Sequence, residues 1–414
     1  MKKADRFELG PVAMFYAATI NDICPGTFSI TAWLTENVKP EILQRAVNDL
    51  IRRLPFISGQ LQSGFFRHYI KMHENPMQIV PVKDLISFGC CHKKGRDSLL
   101  RVLYGERHFT VETTHIVCDG RSLTKIVKAL LVRYFELLGI VVDKSDIIDC
   151  AGQIRPEEIE DAFLRYVSAM DSNEVKAIFR RYATAQNENK PKETYHYRKS
   201  QPSASRIVSK KFEVTKIKAA AKERDATVSE FILAHIFMTI AEERKNIGST
   251  KPISVMIPVD YRSFFPSETL TNFAMGKVIH MPETDEFAKI LTGIKSQFNE
   301  INSASASDDI VGFTKISRIM GLIPIPIKKQ LLKAMKNSAA AGFTASFSNL
   351  GIVRLPAEIE ECLETLEFAF CPDTEREPYA FSCITLGNTL VFTIAIAAEV
   401  TDIADKLMQT LEKL

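Results

Sequence analysis

Little in this 414-residue chain is concentrated. Its 53 Lys and Arg nearly balance its 50 Asp and Glu, leaving a net charge of only +3. That balance supplies no basic face and argues against a nucleic-acid partner. No run of 18 apolar residues occurs, so no transmembrane helix is expected. The start, Met1-Lys2-Lys3, is basic, yet Asp5, Arg6 and Glu8 follow and no secretory h-region forms. The eight cysteines include no C-x-x-C pair and no partnership with histidine at zinc spacing. They read as reduced, mostly buried thiols of a cytoplasmic protein, with no permanently bound metal or cofactor. No repeat of about 20–50 residues is visible. No G-x-S-x-G elbow occurs, which weakens a serine-hydrolase reading.

What is present is globular: 46% hydrophobic and 25% charged residues, enough to bury a substantial core. The length favours two domains of about 200 residues each. Residues 28–34 read as a strand, and Pro40 opens a helix whose stripe is Leu43, Ala46, Val47, Leu50, Ile51 and Leu54. Strands follow at 60–62 and 65–72 across a Ser63-Gly64 turn, then at 99–104 and 107–114. Asn75-Pro76 marks a break. Helical pieces over about 156–184 carry Glu157, Glu158, Glu160 and Asp161, a run that reads as a solvated face. A polar linker, Gln186 to Lys192, leads to a second block near Arg206. There 207–212 is a strand, 214–224 a helix, and Thr227 caps a helix to about Glu243. On its apolar face His235 reads as a core histidine. Strands follow at 253–259, 343–349, 366–370, 379–386 and 389–397, with helices at 284–300 and 401–414. Between them lies a basic, apolar stretch, Ile323 to Met335. It could rest on a membrane or line an acyl tunnel, but a kinked surface helix explains it more simply. Each half is therefore a mixed sheet carrying helices, an α/β (α+β) chain divided as 1–155, 156–205 and 206–414.

The richest stretch is Thr114-His115-Ile116-Val117-Cys118-Asp119-Gly120. Alternation before it predicts a half-buried strand, with Phe109, Val111 and Thr113 on one face. After it Leu123, Ile126, Val127, Leu130, Leu131, Tyr134 and Leu138 predict an amphipathic helix, with Ser122 as cap and Gly139 as stop. His-x-x-x-Asp-Gly arises by chance only about 0.02 times in a chain of this composition. Imidazole is suited to proton transfer near neutrality. Asp119 could bond His115 as in a triad, or pin the loop by pairing with a cation. Gly120 suits a tight turn, where positive φ is free of penalty. Cys118 could be a nucleophile, but a small buried spacer is the stronger reading.

This loop resembles the HHxxxDG motif of the condensation-domain and chloramphenicol-acetyltransferase superfamily. The likeness extends to Arg53-Leu54-Pro55-Phe56-Ile57-Ser58-Gly59-Gln60-Leu61 with Gly64-Phe65-Phe66-Arg67-His68-Tyr69. It continues in Pro258-Val259-Asp260-Tyr261-Arg262 with Leu270-Thr271-Asn272-Phe273, and in Ser346-Phe347-Ser348-Asn349-Leu350-Gly351. These blocks are similar to the alcohol-acetyltransferase-like subgroup. The resemblance implies two chloramphenicol-acetyltransferase-like subdomains forming a V, with an interdomain tunnel. It implies acyl transfer, with acetyl the expected group, from acyl-CoA or an acyl carrier protein to a small-molecule alcohol or amine. His115 would be the general base, and Asp119 a structural anchor paired with Arg262. Gly120 would serve the turn, and Ser346, Ser348 and Asn349 are candidates to meet the oxyanion or substrate. The first histidine of the doubled motif is Thr114 here, and the DFGWG motif of plant acyltransferases is absent. A monomer is expected. Two alternatives stand: a carrier-protein-dependent condensation or esterification enzyme, and a non-catalytic binding protein on the same fold.

Overall fold

The computed structural model describes residues 6–20, 26–72, 77–82, 98–144, 147–188, 193–196, 206–372, 377–397 and 402–413. Cys24, Cys90 and Cys91, the basic start, the Asn75-Pro76 break and most of the linker before Arg206 lie outside them, as do the ends of the 401–414 helix.

Three sheets organise the described chain. One has five strands in the order Leu363–Phe370, Thr27–Leu34, His108–Thr114, Leu100–Tyr104, Val80–Pro81. All its pairs are antiparallel except the last, which is parallel. A second has six strands: Ala274–His280, Ser254–Asp260, Ala345–Val353, Tyr379–Leu386, Thr389–Ile396 and Arg206–Glu213. Its centre is parallel and its flanks are antiparallel. A small third sheet joins Arg6–Glu8, His68–Lys71 and Gln60–Ser63. The strand Leu363–Phe370 does not pair within the six-stranded sheet. It lies along Thr27–Leu34, so the late chain completes the early sheet.

Each large sheet buries its own core. The helices Pro40–Arg53 and Gly120–Leu137 set Leu43, Val47, Leu50, Ile126 and Leu130 against Phe28, Ile30, Phe109 and Val111. The helices Val228–Asn246, Phe287–Glu300 and Ile403–Glu412 cover the six-stranded sheet. His235 packs there against Phe231 and Phe287, as a core histidine should, and burial pushes its pKa down to about 4. A third core gathers Val12, Phe163, Val167, Tyr261, Phe273, Ile310 and Val311.

Several local expectations change. The helices Pro11–Thr19 and Ser303–Met320 were not read from the sequence. The second begins at a capping box, in which Asn302 and Ser305 each satisfy the other's backbone N–H. The expected strand from Phe65 begins only at His68; residues 64–67 form the turn, closed by Gly64 N–H donating to Arg67 O at 2.8 Å. Glu158 is no solvated residue. It is buried and accepts both bonds from Arg53, at 2.7 and 2.8 Å. Asp161 caps the helix Ala162–Ala169 through Leu164 N–H.

Candidate active site

The strand His108–Thr114 is buried on both faces, not one. Three of its polar side chains are satisfied by neighbouring strands or their flanks. Thr110 shares a 2.8 Å hydroxyl contact with Thr31, Glu112 accepts from Arg101 at 2.7 Å, and Thr113 donates to Leu99 O at 3.0 Å. This strand delivers the chain rigidly to a short turn holding His115.

His115 is partly exposed and its backbone N–H donates to Gly26 O at 3.1 Å. Its ring lies between Tyr16, stacked at 4.7 Å between centroids, and Phe28, tilted at 4.4 Å. Asn272 grips the same residue twice. Its Nδ2 donates to His115 O at 2.7 Å, and its Oδ1 lies 3.4 Å from His115 Nδ1. A carbonyl oxygen can only accept, so this contact favours the tautomer with the proton on Nδ1 and the lone pair on Nε2.

Asp119 faces away from that ring. It, and not Ser122, is the cap of the helix Gly120–Leu137: Oδ1 accepts from Ser122 N–H at 2.9 Å. Oδ2 accepts from Arg262 Nη1 and from Phe273 N–H, each at 2.8 Å. Burial alone would raise its pKa, but the Arg262 charge and these N–H donors outweigh burial and hold the carboxyl below its ordinary range. Arg262 is buried too. Its other bonds go to Asp260 Oδ1 at 2.8 Å, Ser122 Oγ at 3.1 Å, Thr269 O at 2.9 Å and Thr271 O at 2.8 Å. The pair therefore ties the start of a helix in the first half to the turn after the strand Ser254–Asp260 in the second. The triad geometry left open by the sequence is not formed.

Gly120 is not a turn residue of positive φ. It is the first residue of the helix, and a Cβ there would stand 2.8 Å from Leu350 Cδ2. Glycine here answers a close approach of the Leu350 side chain, not a backbone conformation. Cys118 is wholly buried, and burial, reinforced by Asp119, raises its thiol pKa well above the ordinary value despite Arg262. A thiol held protonated is no nucleophile.

His115 opens on a cavity of about 1360 Å³ whose wall includes Tyr16, Phe28, Asn272, Ser346, Ser348 and Asn349. Both large sheets contribute to it. Ser346 is buried, and its Oγ has no hydrogen-bond partner among the described residues. Asn349 is committed to structure: Nδ2 donates to Ser229 Oγ in the helix Val228–Asn246 at 3.0 Å, and Oδ1 accepts from Gly351 N–H of its own strand at 2.8 Å. It shapes the irregularity between Asn349 and Ile352, where Gly351 takes φ +72°. Arg121, Lys125, Lys128, Lys336 and Arg354 also line the cavity. Among the described residues no group of three or more metal-ligating side chains occurs, and no helix is long and apolar enough to cross a membrane.

A family model for alcohol acetyltransferases matches residues 107–413. The chain belongs to that family. No curated protein matches it by sequence. Several solved structures share the fold of this alcohol acetyltransferase family member. Polyketide synthase associated protein 5 from Mycobacterium tuberculosis aligns at TM-score 0.62 and 14% identity, over 98% of this chain and 96% of that one. TRI3 trichothecene 15-O-acetyltransferase from Fusarium sporotrichioides aligns at TM-score 0.63 and 13% identity, over 100% and 95%. The first condensation domain of the CDA synthetase aligns at TM-score 0.63 and 9% identity, over 100% and 95%. The alcohol acetyltransferase family read from the sequence thus holds, and the α/β fold expected for the chain is the one these structures share. Asn272, Tyr16 and Phe28 were not singled out as site residues by sequence reasoning. Asn272 stands within the Leu270–Phe273 block and Phe28 within an expected strand, but Tyr16 lies in a stretch with no assigned element.

Proposed function

We propose that this protein transfers an acyl group, acetyl being the simplest, from a thioester donor to an alcohol or amine, with His115 as the general base. The observation that carries this is the imidazole held by Asn272 and two rings at the wall of a large cavity. With Nδ1 protonated, Nε2 takes the proton of the acceptor as its oxygen or nitrogen attacks the thioester carbonyl. The tetrahedral oxyanion needs a donor, and Ser346 Oγ is a buried cavity hydroxyl free to supply one, as is Thr27 Oγ1. Collapse expels the thiolate, which recovers the proton from the imidazolium. The histidine ends neutral and no acyl-enzyme forms. Arg121, Lys125 and Arg354 in the wall suit the phosphates of acyl-CoA or of a carrier protein's phosphopantetheine arm.

The test is turnover of acyl-CoA and acyl-carrier donors against panels of alcohols and amines, read by mass spectrometry and by thiol release. His115→Ala should lower the rate about 100- to 10,000-fold while the melting curve stays intact. Full activity in that variant overturns the assignment of the base. Donor binding without turnover by the unaltered protein favours the binding-protein reading instead.

A further inference from the structure

The basic, apolar stretch near Ile323–Met335 takes no part in the chemistry above. Among the described residues 13 large apolar side chains are exposed, and seven fall in two short segments. These are Phe65 and Phe66, then Ile319, Leu322, Ile327, Leu331 and Met335. The two segments form one surface. Phe65 O accepts from Ile325 N–H at 3.1 Å, and the Lys328 ammonium donates to Phe66 O. Gly64, Phe66 and Arg67 share a hollow with Gly321 and Leu322.

The helix Ile325–Ala340 is partly inside out at this end. Lys328 is buried, whereas Ile327 is 61% exposed and Leu331 and Met335 follow it at four-residue spacing on one stripe. Monomeric proteins rarely leave such a patch uncovered without a use for it. Its charge is one-sided. No Asp or Glu occurs between Asp309 and Glu358, a span holding Lys315, Arg318, Lys328, Lys329, Lys333, Lys336 and Arg354. Arg67, Arg318 and Lys333 are exposed around the apolar tips. In the hollow beneath, Glu8 is offset by Arg6 and Arg67. Apolar tips rimmed by cations fit the boundary of an anionic bilayer, where the tips enter the headgroup layer and the cations meet lipid phosphates.

We propose that this surface docks the protein peripherally on a bilayer carrying anionic lipids. The far end of the same helix supplies Lys336, Ala339 and Ala340 to the cavity wall, so docking brings the cavity close to the lipid phase. The inference is independent of the acyl-transfer reading.

The test is co-sedimentation of the full chain with vesicles of phosphatidylcholine alone and of phosphatidylcholine mixed with phosphatidylglycerol. Binding to the mixed vesicles should be about tenfold tighter or more, and should weaken with salt. Phe65→Ser/Phe66→Ser should weaken it about tenfold, and Lys329→Glu/Lys333→Glu should remove the preference for anionic lipid. Far-UV circular dichroism and melting confirm that these surface variants fold. No binding to mixed vesicles, or binding indifferent to both double variants, overturns the proposal. So does a concentration-dependent dimer that Phe65→Ser/Phe66→Ser dissolves in a chain that ignores vesicles, which would assign the patch to a second copy.

Discussion

Gly120 shows how little room the loop has. A methyl group there meets Leu350 Cδ2 at 2.8 Å, so Gly120→Ala makes the end of the Leu350 side chain shift. Because only a side-chain end must move, the cost should fall at or below the lower end of the ~1–3 kcal/mol seen for overpacking, and Leu350→Ala in the same chain should remove it in thermal melts. Asn272 is a positioning residue for the ring. Asn272→Ala removes the Oδ1 that faces His115 Nδ1, so kcat should fall about tenfold or more, with a smaller change in KM. A shift of the pH–rate profile distinguishes lost positioning from lost folding. Of the residues at this centre, His115 and Asp119 were legible in the sequence through their motif spacing, and Arg262 through the resemblance of the Pro258–Arg262 block. Tyr16 and Phe28 were not. An aromatic residue that clamps a histidine is written like one that fills a core, and only the fold separates them.

At the scale of elements, the buried ion pair joins two that meet late in the chain's geometry. Asp119→Asn is an informative change, since asparagine caps a helix as well as aspartate does. The cap should survive and the charge on Arg262 lose one partner, leaving Asp260 at 2.8 Å. Breaking a buried pair from one side costs about 3–5 kcal/mol, and Asp260 holds this case near the lower figure. Urea denaturation measures it; an unchanged midpoint would show that the pair adds nothing. Elements with a clean apolar period, such as Pro40–Arg53 and Gly120–Leu137, were readable in advance. The helix Ser303–Met320 was not, because it opens on Ser-Ala-Ser-Ala-Ser, small residues that read as loop until Asn302 is seen to cap them. The strand Leu363–Phe370 was readable as a strand, but its partner was not, since alternation does not say which sheet a strand joins.

For the whole molecule, acid should act through paired carboxylates. Asp119 and Glu158 each face burial, which would raise their pKa values, yet their arginines and donated N–H groups hold both below the ordinary range. A depressed carboxyl contributes stability that is present above its unfolded value and lost as pH falls through the folded one, so stability should drop below about pH 4. Glu243 runs the other way. Burial, then Asp402, raises it to about 7 against the pull of Lys406. Its folded state binds the proton more tightly, so its contribution fades as pH rises from about 4.5 towards 7. Glu243→Gln should flatten that limb of a denaturation series run against pH. The arrangement of Leu363–Phe370 also has a consequence for biosynthesis. While the ribosome is still adding the second half, Thr27–Leu34 has no neighbour on one side and stands as a bare edge. The early sheet closes only after Leu363–Phe370 has emerged, more than 300 residues after the strand it pairs with, which makes the interval before that point the time of greatest exposure to aggregation.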